Sequence, residues 1–269
     1  MNLISQVLQE KRKNSQCALI PFLTAGYPSV ELTIETLCML DKRGADIIEL
    51  GIPYSDALAD GPLIQRASKV ALDNGIYIDQ VLDLLSKVES RIDAPIIIFT
   101  YYNPILVRGL SRFIREIAQV GVKGLIVPDL PIEEADYVIR LCDDCKIELV
   151  LFISPISSKN RINNILSKAP GCVYLVSSTG VTGIRKSINS EVSFLSNHIS
   201  LKTDKLVMLG FGISSPTQVS HILKSTLDVS GIVIGSAFTK ILSNYSNSNA
   251  SEIIEELGSF CCNIQLVMM

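Results

Sequence analysis

Two acidic residues stand where an acid–base catalyst would place them. The run Asp46-Ile-Ile-Glu-Leu-Gly-Ile52 reads as a short buried strand with Glu49 near its C-terminal end. Side chains alternate along a strand with period two, so Glu49 shares a face with Ile47. A strand covered on both faces surrounds an ionisable group with apolar atoms whichever way it points, and an unpaired charge there is costly. Glu49 therefore needs either a partner, such as a structural salt bridge, or a chemical role, and we read it as catalytic. That apolar setting predicts a raised pKa. Asp60 follows in the loop Pro53-Tyr-Ser-Asp-Ala-Leu-Ala-Asp-Gly-Pro62. On composition alone Asp60-Gly61-Pro62 is a turn and helix start, and Ser55 and Asp56 fit a turn equally well. What raises Asp60 is its place on the loop that leaves the strand of Glu49, because two carboxylates in unlike environments can divide acid and base roles.

Three glycine-bearing turns add a second chemistry: Gly180-Val-Thr-Gly183, Gly210-Phe-Gly212 and Gly235-Ser236. Glycine lets backbone N–H groups approach an anion closely. The last turn opens a short helical pattern, Ala237-Phe-Thr-Lys-Ile-Leu242, whose N-terminus would aim free N–H groups at a phosphate. The alternative is that all three are tight connections and nothing more. Histidine chemistry is poorly supplied: His198 and His221 are the only two, with no ligand partners in view. Acid–base work thus falls to carboxylates. Cys142 and Cys145 form a C-x-x-C pair, but late in a helical pattern, where no helix N-terminus would stabilise a thiolate. No second such pair exists to complete a zinc site, so no metal is expected.

The elements that must hold these residues alternate along the whole chain. Apolar, β-branched runs at 18–24, 47–52, 96–100, 124–127, 149–153, 173–177, 206–209 and 231–234 read as strands. Helical patterns intervene at 30–43, 79–91, 110–120, 132–145, 160–168, 192–201 and 216–226, and a last one spans 251–266. Alternation of this kind implies a parallel sheet with helices outside it. Eight units in one chain favour a closed (β/α)8 TIM barrel over an open doubly wound sheet, and 269 residues suit a single barrel domain, 1–269. Leu3, Ile4, Val7 and Leu8 recur at helical spacing, which predicts an N-terminal capping helix. Extra segments follow strand two (53–75), strand six (178–190) and strand eight, and long loops after barrel strands sit on the catalytic face. The polar stretch 243–251 joins the short helix after strand eight to the final helix.

Composition narrows the function classes. With 48% apolar residues a sizeable core is available, and a net charge of −3 without a basic block argues against nucleic acid. Seven scattered cysteines do not make a disulfide framework. No apolar run reaches the roughly 18 residues of a membrane span, and no targeting segment is visible. The expectation is a soluble protein of the bacterial cytoplasm or plastid stroma.

Five segments carry a family resemblance: Pro21-Phe-Leu-Thr-Ala-Gly-Tyr-Pro28, Glu49-Leu-Gly-Ile-Pro-Tyr-Ser-Asp56, Ala59-Asp-Gly-Pro-Leu-Ile-Gln65, Ser177-Ser-Thr-Gly-Val-Thr-Gly183 and Gly210-Phe-Gly-Ile213. Together the sequence resembles the tryptophan synthase α subunit family from about Ala18 to Leu242, and the second and third segments are specific to that family. The resemblance implies a lyase that cleaves indole-3-glycerol phosphate, by a retro-aldol step, to indole and glyceraldehyde 3-phosphate. It implies Glu49 as the acid–base residue and Asp60 as the carboxylate that holds the indole N–H. It implies Phe22, Tyr102, Ile153 and Tyr174 around the indole and propyl chain, and Gly183, Gly212, Gly235 and Ser236 at the phosphate. Thr182 and Phe211 join the implied substrate-binding set, with Thr182 moving towards Asp60 when the loop after strand six closes. No cofactor is implied in this chain; pyridoxal phosphate belongs to a β-subunit partner, in an α2β2 assembly, that abuts the loop from Pro53 to Asp60.

The sequence departs from the family pattern at Ala57, where a proline is usual, which loosens the φ restriction of the second loop. Pro128 replaces a small residue before Asp129, and Cys172 stands where a tyrosine is frequent. Three rivals stand beside this reading: a degenerate subunit that only activates a β partner, a stand-alone lyase releasing free indole, which keeps every catalytic residue, and a different phosphosugar epimerase or isomerase. The intact carboxylate pair argues against the first, and the last leaves the strand-two block unexplained.

Overall fold

Eight parallel strands close on themselves in sequence order. A computed structural model describes residues 2–176, 190–210, 212–225, 228–247 and 249–268. The strands are β1 (Ala18–Thr24), β2 (Ile48–Gly51), β3 (Ile96–Phe99), β4 (Gly124–Ile126), β5 (Glu148–Ile153), β6 (Cys172–Val176), β7 (Leu206–Gly210) and β8 (Gly231–Ile234). Each pairs with the next, and β8 returns to β1 through Ala18↔Gly231 and Ile20↔Val233, so no edge remains and the open-sheet alternative is excluded.

Helices follow the strands: α1 (Leu3–Lys13), α2 (Val30–Lys42), α3 (Pro62–Asp73), α4 (Ile78–Val88), α5 (Tyr102–Arg108), α6 (Leu110–Gln119), α7 (Ala135–Asp144), α8 (Lys159–Lys168), α9 (Ser190–Lys202), α10 (Pro216–Lys224), α11 (Ser236–Leu242) and α12 (Ala250–Met268). A 3-10 turn, Ser243–Asn247, fills the polar stretch before α12. Local chemistry sets many starts. Ser29, Ser158 and Ser215 cap α2, α8 and α10 by accepting the N–H of Leu32, Arg161 and Gln218. Pro62 and Pro216 take first-turn positions, where a missing N–H costs nothing.

The strand pleat sorts apolar side chains into two layers. Ala18, Ile20, Phe22, Ile97, Phe99, Val150, Tyr174, Met208 and Val233 point into the barrel. The alternate residues, among them Leu19, Ile48, Leu50, Ile98, Leu151, Val173, Leu209 and Ile232, pack outwards against the helices. Helix α1 closes the floor: Ile4 and Leu8 join the inner layer. Ser5 anchors it there, donating its N–H (3.0 Å) and its hydroxyl to the fully buried Glu148 carboxylate, which also accepts the N–H of Cys172 at 3.0 Å.

Two stretches differ from the expected pattern. Helix α5 was hidden because Asn103-Pro104 looks like a breaker. Pro104 falls in the first turn, where proline is tolerated, and Asp129 accepts the N–H of Tyr102 at 2.8 Å. Helix α7 starts at Ala135 instead of 132, because 131–134 forms a tight turn in which Glu134 N–H bonds to Pro131 O.

Candidate active site

The C-terminal ends of the strands open into a cleft lined by Phe22, Glu49, Asp60, Gly61, Ile64, Phe99, Tyr174, Gly212, Ile213, Val233, Gly235 and Ser236. It encloses about 440 Å³ of space between atoms, its open mouth included. Glu49 points inwards because its ladder partners, Phe22 on β1 and Ile97 on β3, belong to the inner layer. It is 1% exposed, and its Oε2 takes no hydrogen bond from any described residue. The structural salt bridge considered for Glu49 therefore has no partner among the described residues.

Asp60 reaches the same cleft from the loop. Its backbone is held on both sides: its N–H donates to Ala57 O at 3.1 Å, and Gln65 Nε2 donates to Asp60 O at 2.9 Å and to Ala57 O at 3.1 Å. Ala57 itself is buried. The loop expected to be slack without proline is thus pinned by hydrogen bonds to the Ala57 carbonyl. The Asp60 carboxylate accepts the Tyr101 hydroxyl at 3.0 Å through Oδ2.

Electrostatics separate the pair. Burial, and then the Asp60 charge, push the Glu49 carboxyl up to about 8. Burial raises Asp60 to about 6, opposed by the hydrogen bond from Tyr101. Near neutral pH the site therefore presents a carboxylic acid at Glu49 and a carboxylate at Asp60. Burial, reinforced by both acids, also raises the Tyr174 phenol and keeps it protonated.

An aromatic wall backs the acids. Phe22 and Phe99 meet edge-on at 5.8 Å, Phe99 meets Phe152 at 6.3 Å, and Phe152 stacks on Tyr174 at 4.6 Å and 15°. A planar, apolar heterocycle would lie against such rings. At the rim, Gly212 adopts φ +78°, a left-handed conformation that other residues rarely hold. Gly210 has a different reason to be glycine from the anion approach its turn implied. A Cβ there would overlap the Tyr174 hydroxyl and stand 2.6 Å from its Cε1.

The structure thus brings Phe22, Glu49, Asp60, Tyr174, Gly212, Gly235 and Ser236 around one cleft. Two expected lining residues are placed elsewhere. Tyr102 packs in the outer layer and donates its hydroxyl to Glu134, and Ile153 is buried in that same layer. The strand pleat explains the second, and the start of α5 the first. On β5, Val150 and Phe152 face inwards, so Ile153 falls on the opposite side; Tyr102 lies beyond β3, as the first residue of α5, where its side chain turns away from the inward-facing Tyr101 at the N-cap of that helix. Thr182, Gly183 and Phe211 lie outside the described residues. The sequence reading missed Tyr101, Phe99, Phe152 and Ile64; counting by twos along each strand would have found the first three.

The cysteines and histidines stay apart from this cleft. Cys142 and Cys145 are free, and burial pushes the Cys142 thiol well up. His198 stacks on Phe194 of α9 and His221 lies on α10. Among the described residues no group of three or more His, Cys, Asp or Glu could hold a metal ion. No helix of the described residues is long and apolar enough to cross a membrane.

Fold and cleft together define a closed (β/α)8 barrel whose cleft holds a buried carboxylic acid, an ionised carboxylate and a glycine-lined rim. Comparison with known proteins gives the family. The family model for "Tryptophan synthase alpha chain" matches residues 8–265. The tryptophan synthase alpha chain of Gracilaria tenuistipitata var. liui is 55% identical over 261 residues, covering 97% of this chain and 95% of the relative. That of Trichodesmium erythraeum is 45% identical, covering 97% of each. Among solved structures, the tryptophan synthase subunit alpha of Legionella pneumophila superposes with a TM-score of 0.87 at 30% identity, over 100% of this chain and 98% of that one. A chain of Mycobacterium tuberculosis tryptophan synthase gives 0.88 at 29% identity, over 99% and 98%. The chain belongs to the tryptophan synthase alpha chain family. Its activity is that family's: a carbon–carbon lyase performing the alpha reaction of tryptophan biosynthesis.

Proposed function

We propose that the cleft binds indole-3-glycerol phosphate and that Glu49 and Asp60 carry out its cleavage to indole and glyceraldehyde 3-phosphate. The observation that carries this reading is the buried Glu49 carboxyl, with an Oε2 that has no partner among the described residues, in the same cleft as a second, more acidic carboxyl. Protonated Glu49 delivers its proton to indole C3, making the ring a leaving group. The positive charge that develops on the indole nitrogen is stabilised by ionised Asp60, which accepts the N–H. The Glu49 carboxylate then takes the proton of the hydroxyl on the carbon attached to C3. The C3–carbon bond breaks, its electron pair restores the aromatic ring, and the hydroxyl carbon becomes the aldehyde. One proton leaves Glu49 and one returns.

The rim at Gly212, Gly235 and Ser236 receives the phosphate, and that remote binding energy holds the reacting bond against the acids. No metal or organic cofactor enters this step. Residues 1–269 act as one barrel domain; the single closed strand ring supports that reading. A β subunit carrying pyridoxal phosphate covers the mouth in an α2β2 assembly. Support comes from apolar side chains exposed on the connections after β2, β3 and β5: Leu58 at 87%, Val107 at 82% and Ile156 at 76%. The site of action is the bacterial cytoplasm or the plastid stroma, in line with relatives from a red alga and a cyanobacterium.

The test is to incubate the purified chain with indole-3-glycerol phosphate, alone and with a tryptophan synthase β subunit, and to follow indole and glyceraldehyde 3-phosphate. Slow cleavage alone and faster cleavage with the partner is the expected result. Full-speed turnover alone would mark a stand-alone lyase. No cleavage under either condition would leave a subunit that only activates its partner.

A further inference from the structure

Asp60 is held firmly by its backbone, yet one tether alone among the described residues sets its carboxylate. Gln65 and Ala57 bind its main chain. Its side chain accepts one hydrogen bond from a described residue, from the Tyr101 hydroxyl to Oδ2 at 3.0 Å, and Oδ1 takes none from them. That hydroxyl also accepts the N–H of Ala59, at 3.1 Å, from the residue immediately before Asp60. A phenol has one proton to give, and the Ala59 N–H occupies a lone pair, so the proton is directed at Asp60. Tyr101 is itself fixed, with the Tyr54 ring 5.2 Å away and the Phe99 ring edge-on at 6.0 Å. It is 3% exposed.

We propose that Tyr101 is a positioning residue of the lyase: its hydroxyl clamps Oδ2 of Asp60 to the backbone of the same loop, so that Oδ1 is turned to the substrate. This rests on the assignment of Asp60 as the carboxylate that meets the indole N–H. A carboxylate free to rotate would spend little time with an oxygen in line with that N–H, and a hydrogen bond to the ionised form holds it both oriented and charged. Helix α5 begins at the next residue, so the rigid end of β3 sets the place of Tyr101.

The experiment compares Tyr101→Phe, Asp60→Asn and the parent chain in indole-3-glycerol phosphate cleavage between pH 5 and 9. Tyr101→Phe should lower kcat by roughly 10- to 100-fold, the usual consequence of losing one hydrogen bond to a charged group. KM should change by no more than about threefold. The acidic limb of the profile should move up by about one pH unit, because the bond favoured the ionised carboxylate. A packing role alone would not move that limb. Should the phenylalanine variant fail to fold, replacing Tyr101 alone by 3,5-difluorotyrosine keeps the shape and strengthens the donor, and the limb should then move down. A limb that stays in place in whichever variant folds overturns the positioning role, provided Asp60→Asn is inactive. An Asp60→Asn enzyme as fast as the parent would instead remove the assignment of Asp60 itself.

Discussion

Tyr174 on β6 occupies the space that a side chain at Gly210 on β7 would fill. A methyl group at 210 would overlap its hydroxyl and crowd its ring, and Tyr174 is buried between Phe152 and the cleft. Gly210→Ala is therefore expected to displace Tyr174 into the substrate space. Overpacking of this kind costs about 1–3 kcal/mol. Urea denaturation should show that loss, with a fall in kcat/KM of about tenfold or more. Combining Gly210→Ala with Tyr174→Leu should recover part of both, with a coupling of at least about 0.5 kcal/mol in the double-mutant cycle. Simple additivity would mean that the two side chains do not compete for one space.

The split between Glu49, near 8, and Asp60, near 6, fixes the pH behaviour. The competent form has Asp60 ionised and Glu49 protonated, so kcat/KM should rise through about 6 and fall through about 8; the two limbs belong to the coupled pair. Stability follows a different sign. Both carboxyls hold their protons more tightly in the folded chain than in the unfolded one, so the folded state is progressively disfavoured as pH rises from 4.5 to about 8 for Glu49. Glu49→Gln removes that charge and should gain stability over the parent on going from pH 5 to pH 8.5. The gain is about 1.4 kcal/mol for each unit separating the folded and unfolded pKa. Equal urea midpoints for the two proteins at both pH values would contradict it.

Glu148 is a buried carboxylate with a structural task. It lies at the first residue of β5, under helix α1, with Ser5 and Cys172 as donors. Glu148→Ala strands those donors and should cost at least about 1–3 kcal/mol, the penalty of leaving a buried donor unsatisfied. The folded fraction should keep kcat within about threefold, since the cleft is at the other end of the strands. A variant of normal stability with collapsed kcat would show that the floor of the barrel takes part in the chemistry.

Gly212 tests the anion rim. An alanine there is strained by its φ of +78°, at roughly 1–2 kcal/mol. It should also disturb the N–H groups offered to phosphate. The expected outcome for Gly212→Ala is a KM at least about tenfold higher with a smaller change in kcat. A normal KM would move the phosphate elsewhere.

Much of the barrel was legible because its strands are long enough to show as apolar runs: β1 and β8 fall where the sequence put them, β2 and β6 differ by a residue at both ends, and the others by a residue at one end. Glu49 was legible for the same reason, as the one acid inside such a run. Helix α5 was not, because its proline and capping Asp129 acquire meaning only once a loop from the next unit is brought alongside. The tyrosine neighbours were confused because Tyr101 and Tyr102 are alike in type, and only the start of α5 just after β3 separates the direction each takes. Glu148 opens its strand as an unremarkable acid, and only α1 folding under the barrel explains its burial.

The most direct test of the account is indole release from indole-3-glycerol phosphate by Glu49→Gln beside the parent, with folding checked by urea midpoint. Glutamine keeps the shape and loses the transferable proton, so turnover should fall by at least about 100-fold, the lower end of what a general acid–base residue contributes. A folded Glu49→Gln enzyme that releases indole within a few-fold of the parent rate would contradict the claim that this buried carboxyl moves the proton.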